Sequence, residues 1–176
     1  MKFIERLKLK YRAYRYKNKS DKGGINYLLS SIKEGQTVLD IGAHKAGYLY
    51  FMHKKTGKTG RIYAFEPQTR LHNYISGIKE LFKWDNVIVE KMALSDSAGT
   101  TTLYIPVNDI RKDSSPGATI IQKADQSGIQ ETEQVNMDVL DSYCQRHAIR
   151  PDFVKIDVEG NELKVLKGGI ETIKKY

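Results

Sequence analysis

The sequence predicts an α/β fold in which helices cover a mostly parallel sheet. Strand-like apolar runs alternate with segments of helical periodicity along most of the 176 residues, as parallel βαβ units require. The apolar run at residues 37–41 also leads directly into a loop of small residues at 42–47, which is typical of a buried strand that feeds a helix. A chain of this length is expected to form one domain with a sizeable core.

Composition indicates a soluble, cytoplasmic protein. Apolar residues make up 40% of the chain and charged residues 28%, and the single Cys144 offers no internal disulfide. No apolar run approaches the roughly 18 residues that a membrane-spanning helix needs. The charged N-terminus has no long apolar segment, so we expect no signal peptide.

The positive charge is concentrated in one segment. Of the net charge of +8, residues 1–19 account for +7, because they hold eight Lys and Arg residues and one acid, Glu5. We therefore divide the chain into a basic N-terminal arm at 1–22 and a domain at 23–176. In the arm, helical spacing of apolar residues predicts an amphipathic helix whose stripe is Phe3, Leu7, Tyr11 and Tyr14.

Three interpretations of the arm compete. Its apolar stripe could pack on the domain, its charges could lie on an anionic membrane surface, or they could contact phosphates of a nucleic acid or of a lipid-linked substrate. We favour the first, because runs of charge are usually solvated faces. Peripheral membrane contact is the main alternative, and nucleic acid is not an expected partner.

The predicted elements follow from periodicity and turn residues. Gly23 and Gly24 are expected to break the chain before a short helix at 25–33, which Gly35 ends. The remaining elements are a helix from Tyr48, a strand at 61–66, a helix at 69–83, strands at 87–89, 101–105 and 134–137, a helix at 138–147 and a strand at 153–156. The polar loop 106–133, with turn residues at 114–117 and 126–128, is either a substrate-recognition element or disordered.

Polar side chains follow the ends of neighbouring predicted strands, where ligands bind in open α/β sheets. Glu66 ends the second strand, at a distance along the chain from Gly42 that suits an acceptor for ribose hydroxyls. Ser95 and Asp96 follow the third strand, and Asp96 either accepts from the amine of a base or is a plain turn acid. The small-residue loop itself favours a nucleotide-type ligand.

The last predicted strand carries an unexpected charge. Lys155 interrupts it, although a parallel strand that is buried on both faces usually excludes charge. A buried lysine needs a partner, and Asp157 lies on the same side two residues later. Asp157, Glu159 and Glu162 gather at the strand end and the next helix start, and we favour a chemical role for this group. Nothing in their spacing demands a metal ion, and no metal site is predicted.

Four motifs together resemble those of FkbM-type methyltransferases. They occur in that family's order, as VLDIGAH at 38–44, AFEP at 64–67, ALSD at 93–96 and VKIDVEGNE at 154–162. The resemblance covers about residues 25–170. The first two motifs are shared by many methyltransferases, whereas the last two are far more specific.

The resemblance implies a Rossmann-like class I methyltransferase fold, a three-layer sandwich with an inserted β-hairpin region. It also implies S-adenosylmethionine as cofactor and O-methylation of a hydroxyl on a sugar or secondary metabolite, so the expected partner is a small-molecule or glycan acceptor. The implied cofactor-binding residues are Asp40, Gly42, Ala43, His44, Glu66, Ser95, Asp96 and Asp157. The implied catalytic residues are Lys155, Asp157 and Glu159, and the implied substrate-binding residues are Glu159 and Glu162.

The sequence departs from the family pattern at two points, and each departure leads to an expectation. The family's loop usually has a glycine at the position of Ala46, so Ala46 is strained if that position requires a positive φ. The class I fold also usually has three further strands after the position of Tyr176, so we expect the present chain to lack the last strands of the sheet.

Two other functions remain open from the sequence. A non-catalytic nucleotide-binding or interaction module is compatible with the basic arm and the expected lack of strands. A dinucleotide-dependent oxidoreductase is compatible with the strand, loop and acid, but it requires the pattern G-x-G-x-x-G, which residues 42–47 do not supply.

Overall fold

The computed structural model describes residues 2–106, 117–121 and 130–175. Its helices are α1 (Lys2–Arg15), α2 (Lys22–Ser31), α3 (Gly47–Thr56), α4 (Thr69–Phe82), α5 (Leu140–Arg146), α6 (Glu162–Gly168) and α7 (Ile170–Lys175), and a π-helical turn at Tyr16–Ser20 continues α1. Its strands are β1 (Thr37–Ile41), β2 (Arg61–Phe65), β3 (Val87–Glu90), β4 (Ala93–Ser95), β5 (Gly99–Pro106), β6 (Gln130–Val139) and β7 (Phe153–Ile156). Among these helices, none is long and apolar enough to cross a membrane.

Four parallel strands form the main sheet, in the order β3–β2–β1–β7. The chain runs outward from β1 to β2 and β3, and returns to the other side of β1 as β7. Because all four strands run in the same direction, their carboxyl ends meet at one edge, and the reversal of strand order beside β1 leaves a crevice there. The predicted α/β fold with a mostly parallel sheet is confirmed.

Side chains that alternate along the strands divide the core between the two faces of the main sheet. Val38, Ile62 and Ala64 belong to a cluster with buried residues of α1, α2, α3 and α4. Leu39 and Phe65 belong to a second cluster, with buried residues of α5 and α6. The sheet therefore lies between two layers of helices, as the predicted three-layer sandwich requires.

A second, smaller sheet contains the inserted hairpin, in the order β4–β6–β5. Here β5 and β6 are antiparallel, and β4 is parallel to β6. The predicted helix start at Asp138 is wrong, because Asp138 and Val139 pair with β4 and α5 begins at Leu140. In the predicted loop, residues 117–121 return to β5 through a bridge between Tyr104 and Thr119. The turn residues at 114–116 and 126–128 lie outside the described residues.

The beginning of α2 differs from the prediction. Gly23 and Gly24 lie in the first turn of this helix instead of breaking the chain before it. The helix can start there because the Asp21 carboxylate accepts a hydrogen bond of 2.9 Å from the Gly24 amide, which satisfies one of the free amides of the first turn.

The arm packs on the domain, but the predicted stripe is on its outer side. The buried residues of α1 are Leu9 and Ala13, which join the core cluster beneath α3 and α4. On the same inner side, Arg12 donates to the Lys45 carbonyl at 2.8 Å. The four residues that the sequence assigned to the packed stripe are instead 50–71% exposed: Phe3, Leu7, Tyr11 and Tyr14.

A buried ion pair joins β1 to β7. Asp40 and Lys155 are opposite each other in the parallel register, so their side chains project from the same face of the sheet. The Lys155 Nζ lies 3.0 Å from the Asp40 carboxylate, whose side chain is 0% exposed, and 3.7 Å from that of Asp157. The closer partner of Lys155 is therefore Asp40, whereas the sequence pointed to Asp157.

Lys155→Met should lower the free energy of unfolding by about 3–5 kcal/mol, because it leaves the Asp40 carboxylate buried without a counter-charge. The double variant Asp40→Leu, Lys155→Met should recover most of this loss, since it removes both charges. Urea denaturation followed by circular dichroism measures the free energy of unfolding of all three proteins. A single variant as stable as the wild type would show that the pair does not stabilise the fold.

Candidate active site

A cleft opens at the carboxyl ends of β1, β2 and β7. It brings together seven of the residues that the sequence selected, namely Gly42, Ala43, His44, Glu66, Lys155, Asp157 and Glu159. The hairpin region closes the opposite wall with Leu103 and residues 117–120. The cleft therefore has a charged side, built from the strand ends of the main sheet, and a more apolar side.

The backbone shapes the loop that follows β1. Gly42 has a φ of 84°, and a Cβ atom there would lie 2.0 Å from the carbonyl oxygen of Asp157. Only glycine therefore fits at this position. Ala46 has a φ of 61°, so the strain anticipated at this alanine is present. The side chain of Ala46 is buried in the core cluster, whose packing stabilises the strained loop.

The first amides of this loop are engaged inside the protein. Those of Gly42 and Ala43 both donate to the Phe65 carbonyl, at 3.0 and 3.1 Å. The next amide, of His44, donates to Glu66 Oε2 at 2.8 Å. The loop thus does not present these three amides to a ligand, as a phosphate-binding loop would.

Glu66 lies buried in the cleft at the end of β2. Its two carboxylate oxygens accept hydrogen bonds from the amides of His44 and Gln68, at 2.8 and 3.1 Å. Burial raises the pKa of Glu66 to about 7, although these hydrogen bonds act in the opposite direction. Each carboxylate oxygen has a further lone pair, so the group can still accept hydrogen bonds from a ligand.

His44 contributes a neutral ring to the cleft. Burial, together with the charges of Lys45 and Arg12, lowers the pKa of His44 to about 4. Its backbone is in the left-handed region, with a φ of 48°. The Nε2 atom of His44 is buried and has no hydrogen-bond partner among the described residues.

Lys155 is held as a cation below the loop. Its ammonium group donates to the Gly42 carbonyl at 2.7 Å and lies 5.4 Å from the centre of the Tyr48 ring. Burial lowers the pKa of Lys155, but the charges of Asp40 and Asp157 outweigh burial and raise it overall. Lys155 therefore stays protonated at neutral pH, whereas a role in proton removal requires a lowered pKa.

Four predicted site residues do not line the cleft: Asp40, Ser95, Asp96 and Glu162. Asp40 lies behind the loop in contact with Lys155. Ser95 is buried in β4 under α6, whose Gly168 approaches so closely that a Cβ there would lie 2.1 Å from the Ser95 carbonyl oxygen. The Glu162 carboxylate accepts from amides of the turn just before it, at 2.9–3.2 Å.

Sequence reasoning missed an aromatic wall of the cleft. Tyr16, in the π-helical turn, and Tyr48, at the start of α3, both line it, with their rings edge to face and 5.8 Å apart. The Tyr48 hydroxyl donates to the Asp21 carboxylate, which ties the wall to the start of α2. The glycine at position 47 is the trace of this wall in the sequence. A Cβ there would lie 2.9 Å from the Tyr16 ring, so the ring requires a residue without a side chain at this position.

A comparison with a solved structure supports the fold. The crystal structure of methyltransferase FkbM from Methylobacillus flagellatus KT superposes on 86% of this chain with a TM-score of 0.53, at 15% identity, and 37% of that chain is covered. A SAM-dependent methyltransferase from Aquifex aeolicus is 30% identical over 44% of this chain and 40% of its own, with a TM-score of 0.38.

Sequence comparison identifies the family. An alignment 89 positions long, which covers 44% of this chain, is 32% identical to ribosomal RNA large subunit methyltransferase E of Blochmanniella pennsylvanica strain BPEN and covers 43% of that protein. The chain thus spans about two fifths of the length of such relatives. The model of the methyltransferase FkbM domain matches residues 40–176, which is most of the chain, and the protein therefore belongs to the FkbM methyltransferase family.

Proposed function

We propose that this domain binds S-adenosylmethionine in the cleft and methylates a hydroxyl group of a small-molecule or glycan acceptor. The observation that carries the proposal is the convergence of Gly42, Glu66 and Asp157, from three different strand ends, on one cleft. Membership of the FkbM methyltransferase family supports the same conclusion.

The charges of the cleft fit this cofactor better than a dinucleotide. Among the described residues, three carboxylates line it, from Glu66, Asp157 and Glu159, against one cation, Lys155. The first amides of the loop, which would bind a pyrophosphate, are engaged with β2. When bound, S-adenosylmethionine supplies a methyl group on a positively charged sulfur, and carboxylates attract that charge.

The residues of the cleft divide naturally between the parts of the cofactor. Glu66 would accept hydrogen bonds from the two ribose hydroxyls, as an acid at the end of the second strand is placed to do. The apolar side, with Leu71, Met92 and Leu103, would cover the adenine ring. Gly42 would let the backbone approach the methionine part closely.

The proton of the acceptor hydroxyl would pass to a carboxylate. Of the three residues proposed as catalytic, Lys155 is held as a cation, so we assign it to positioning the loop. Asp157 is 66% exposed and lies at the end of β7, within the cleft. Glu159 lies two residues further, with a φ of 54°. We propose Asp157 as the general base and Glu159 as a contact to the acceptor.

RNA is the second candidate acceptor, because the relative from Blochmanniella pennsylvanica is by its name a ribosomal RNA methyltransferase. Charge argues against it. Outside residues 1–19 the chain carries a net charge of only +1, whereas recognition of a phosphate backbone requires many basic contacts.

A non-catalytic binding module would bind the cofactor but transfer no methyl group to any acceptor.

Cofactor binding should strengthen as the pH rises from about 6 to about 8. Ionised Glu66 accepts from both ribose hydroxyls, and its pKa of about 7 leaves it mostly protonated at the lower pH. The affinity for S-adenosylhomocysteine should therefore rise about tenfold over this range. Isothermal titration calorimetry in buffers of different ionisation enthalpy measures both the affinity and the protons released.

The matched control is Glu66→Gln, which cannot ionise. Its affinity should be lower than that of the wild type at the higher pH, by about 1–3 kcal/mol, and nearly independent of pH. His44 does not contribute to the slope, because its pKa of about 4 lies below the range. Absence of any binding by the folded wild-type domain would contradict the proposed function, and an unchanged slope in the variant would remove Glu66 from the ribose site.

Asp157→Asn should reduce methyl transfer by about a hundredfold or more if Asp157 is the general base. The measurement is transfer of label from methyl-labelled S-adenosylmethionine to a panel of sugars, phenols and RNA. Glu159→Gln is the comparison, and it should mainly raise KM for the acceptor. Equal loss of kcat in both variants would contradict this division of roles, and labelling of RNA alone would favour the second candidate.

A further inference from the structure

The outer face of α1 carries an apolar stripe that the fold leaves exposed. By helical geometry, residues 3, 4, 7, 11 and 14 lie along one side of this helix. Phe3 is 71% exposed and Tyr11 65%, and the other members are also exposed: Ile4, Leu7 and Tyr14. A contiguous exposed patch of large apolar side chains indicates a surface that contacts something else.

The stripe is not a misplaced core face, because the opposite side of α1 already packs on the domain. Leu9 and Ala13 are fully buried there. Arg12 donates to the Lys45 carbonyl and to the Tyr74 hydroxyl, at 2.8 and 3.0 Å. These contacts fix the rotation of α1 about its axis, so the stripe faces outward in a fixed orientation.

Basic side chains flank the stripe on both sides. With a rotation of about 100° per residue, Lys10 lies along one border and Lys8 and Arg15 along the other. Lys17 and Lys19 continue the charge in the π-helical turn, and all five residues are exposed. The one acid between residues 1 and 20, Glu5, is paired with Lys8 at 2.9 Å. The surface around the stripe is therefore strongly positive.

This arrangement matches the chemistry of an anionic bilayer surface. Burial among the acyl chains is energetically favourable for Phe and Leu side chains. For Tyr rings, the favourable position is the boundary between acyl chains and headgroups. Lys and Arg side chains extend their stems along the apolar layer and place their charges among lipid phosphates. A helix of 14 residues is about 21 Å long, which allows the whole stripe to lie flat in this boundary.

We propose that α1 binds the surface of an anionic lipid bilayer through the stripe Phe3, Ile4, Leu7, Tyr11 and Tyr14 and its basic borders. A nucleic acid would use the basic residues but gain nothing from five exposed apolar side chains. A second copy of the chain would bring two strongly positive surfaces together, which repel each other. Proteins in general also place few lysines in the centre of their interfaces.

Cosedimentation with sucrose-loaded vesicles tests this proposal on the whole chain. Wild-type protein should bind vesicles that contain phosphatidylglycerol and not vesicles of phosphatidylcholine alone. Binding should weaken as salt is raised, because exposed charges are screened. The double variant Phe3→Ser, Leu7→Ser should bind vesicles more weakly by a factor of about ten or more, since it removes the deepest apolar contacts with the bilayer.

The matched control is Leu163→Ser, Leu166→Ser, which removes two exposed apolar side chains from α6, and it should bind like the wild type. A charge variant, Lys10→Gln, Arg15→Gln, should lose the preference for anionic vesicles. Circular dichroism of each variant should match the wild type, because all the changed side chains are exposed.

Three outcomes would overturn the proposal. One is an absence of binding to anionic vesicles by folded wild-type protein. Another is wild-type-like vesicle binding by the stripe variant. The third is a dimer in solution, or an RNA complex, that requires the stripe while vesicles are not bound.

Discussion

The buried pair of Lys155 and Asp40 is the interaction on which the site depends. It fixes the register of β7 beside β1, because the two residues are direct partners across the strands. Its second effect is on the loop, since the same ammonium group donates to the Gly42 carbonyl. One cation therefore links the centre of the sheet to the turn that shapes the cleft. Replacement of Asp40 or Lys155 would perturb both the sheet and this turn.

The hydrogen bonds that the loop makes inside the protein determine which of its groups are left for a ligand. The Gly42 and Ala43 amides bond to the Phe65 carbonyl, and the His44 amide bonds to Glu66. These three donors are therefore not free to bind a ligand. In the proposed cofactor site, recognition would then fall to acceptors, above all the buried carboxylate of Glu66, which suits hydroxyl-bearing and cationic groups better than phosphates. The electrostatics of the site thus follow from how the loop satisfies its own backbone.

Sequence pattern predicted those parts of the fold that depend on local periodicity and on strand ends. Glu66 and Asp157 could be placed at one sheet edge because parallel strands bring their carboxyl ends together. The positions of Ser95 and Asp96 could not be predicted in this way. They depend on the pairing of β4 with β6 outside the main sheet, a contact between strands that are distant in sequence. The partner of Lys155 could not be predicted from the sequence either, because Asp40 is more than a hundred residues away and becomes its neighbour only through the strand register.

The arm shows why periodicity alone cannot tell an inner face from an outer one. α1 has apolar residues on two sides, and the larger ones, such as Phe3 and Tyr11, made the more visible pattern. The side with Leu9 and Ala13 is the one that packs, because these two side chains fill space in the core between α1, α3 and α4 and because Arg12 on that side finds partly buried acceptors. The larger side chains are then left outside, where burial on the domain cannot explain them. The π-helical turn that follows places Tyr16 in the cleft, so a single segment joins that outer face to the wall of the site.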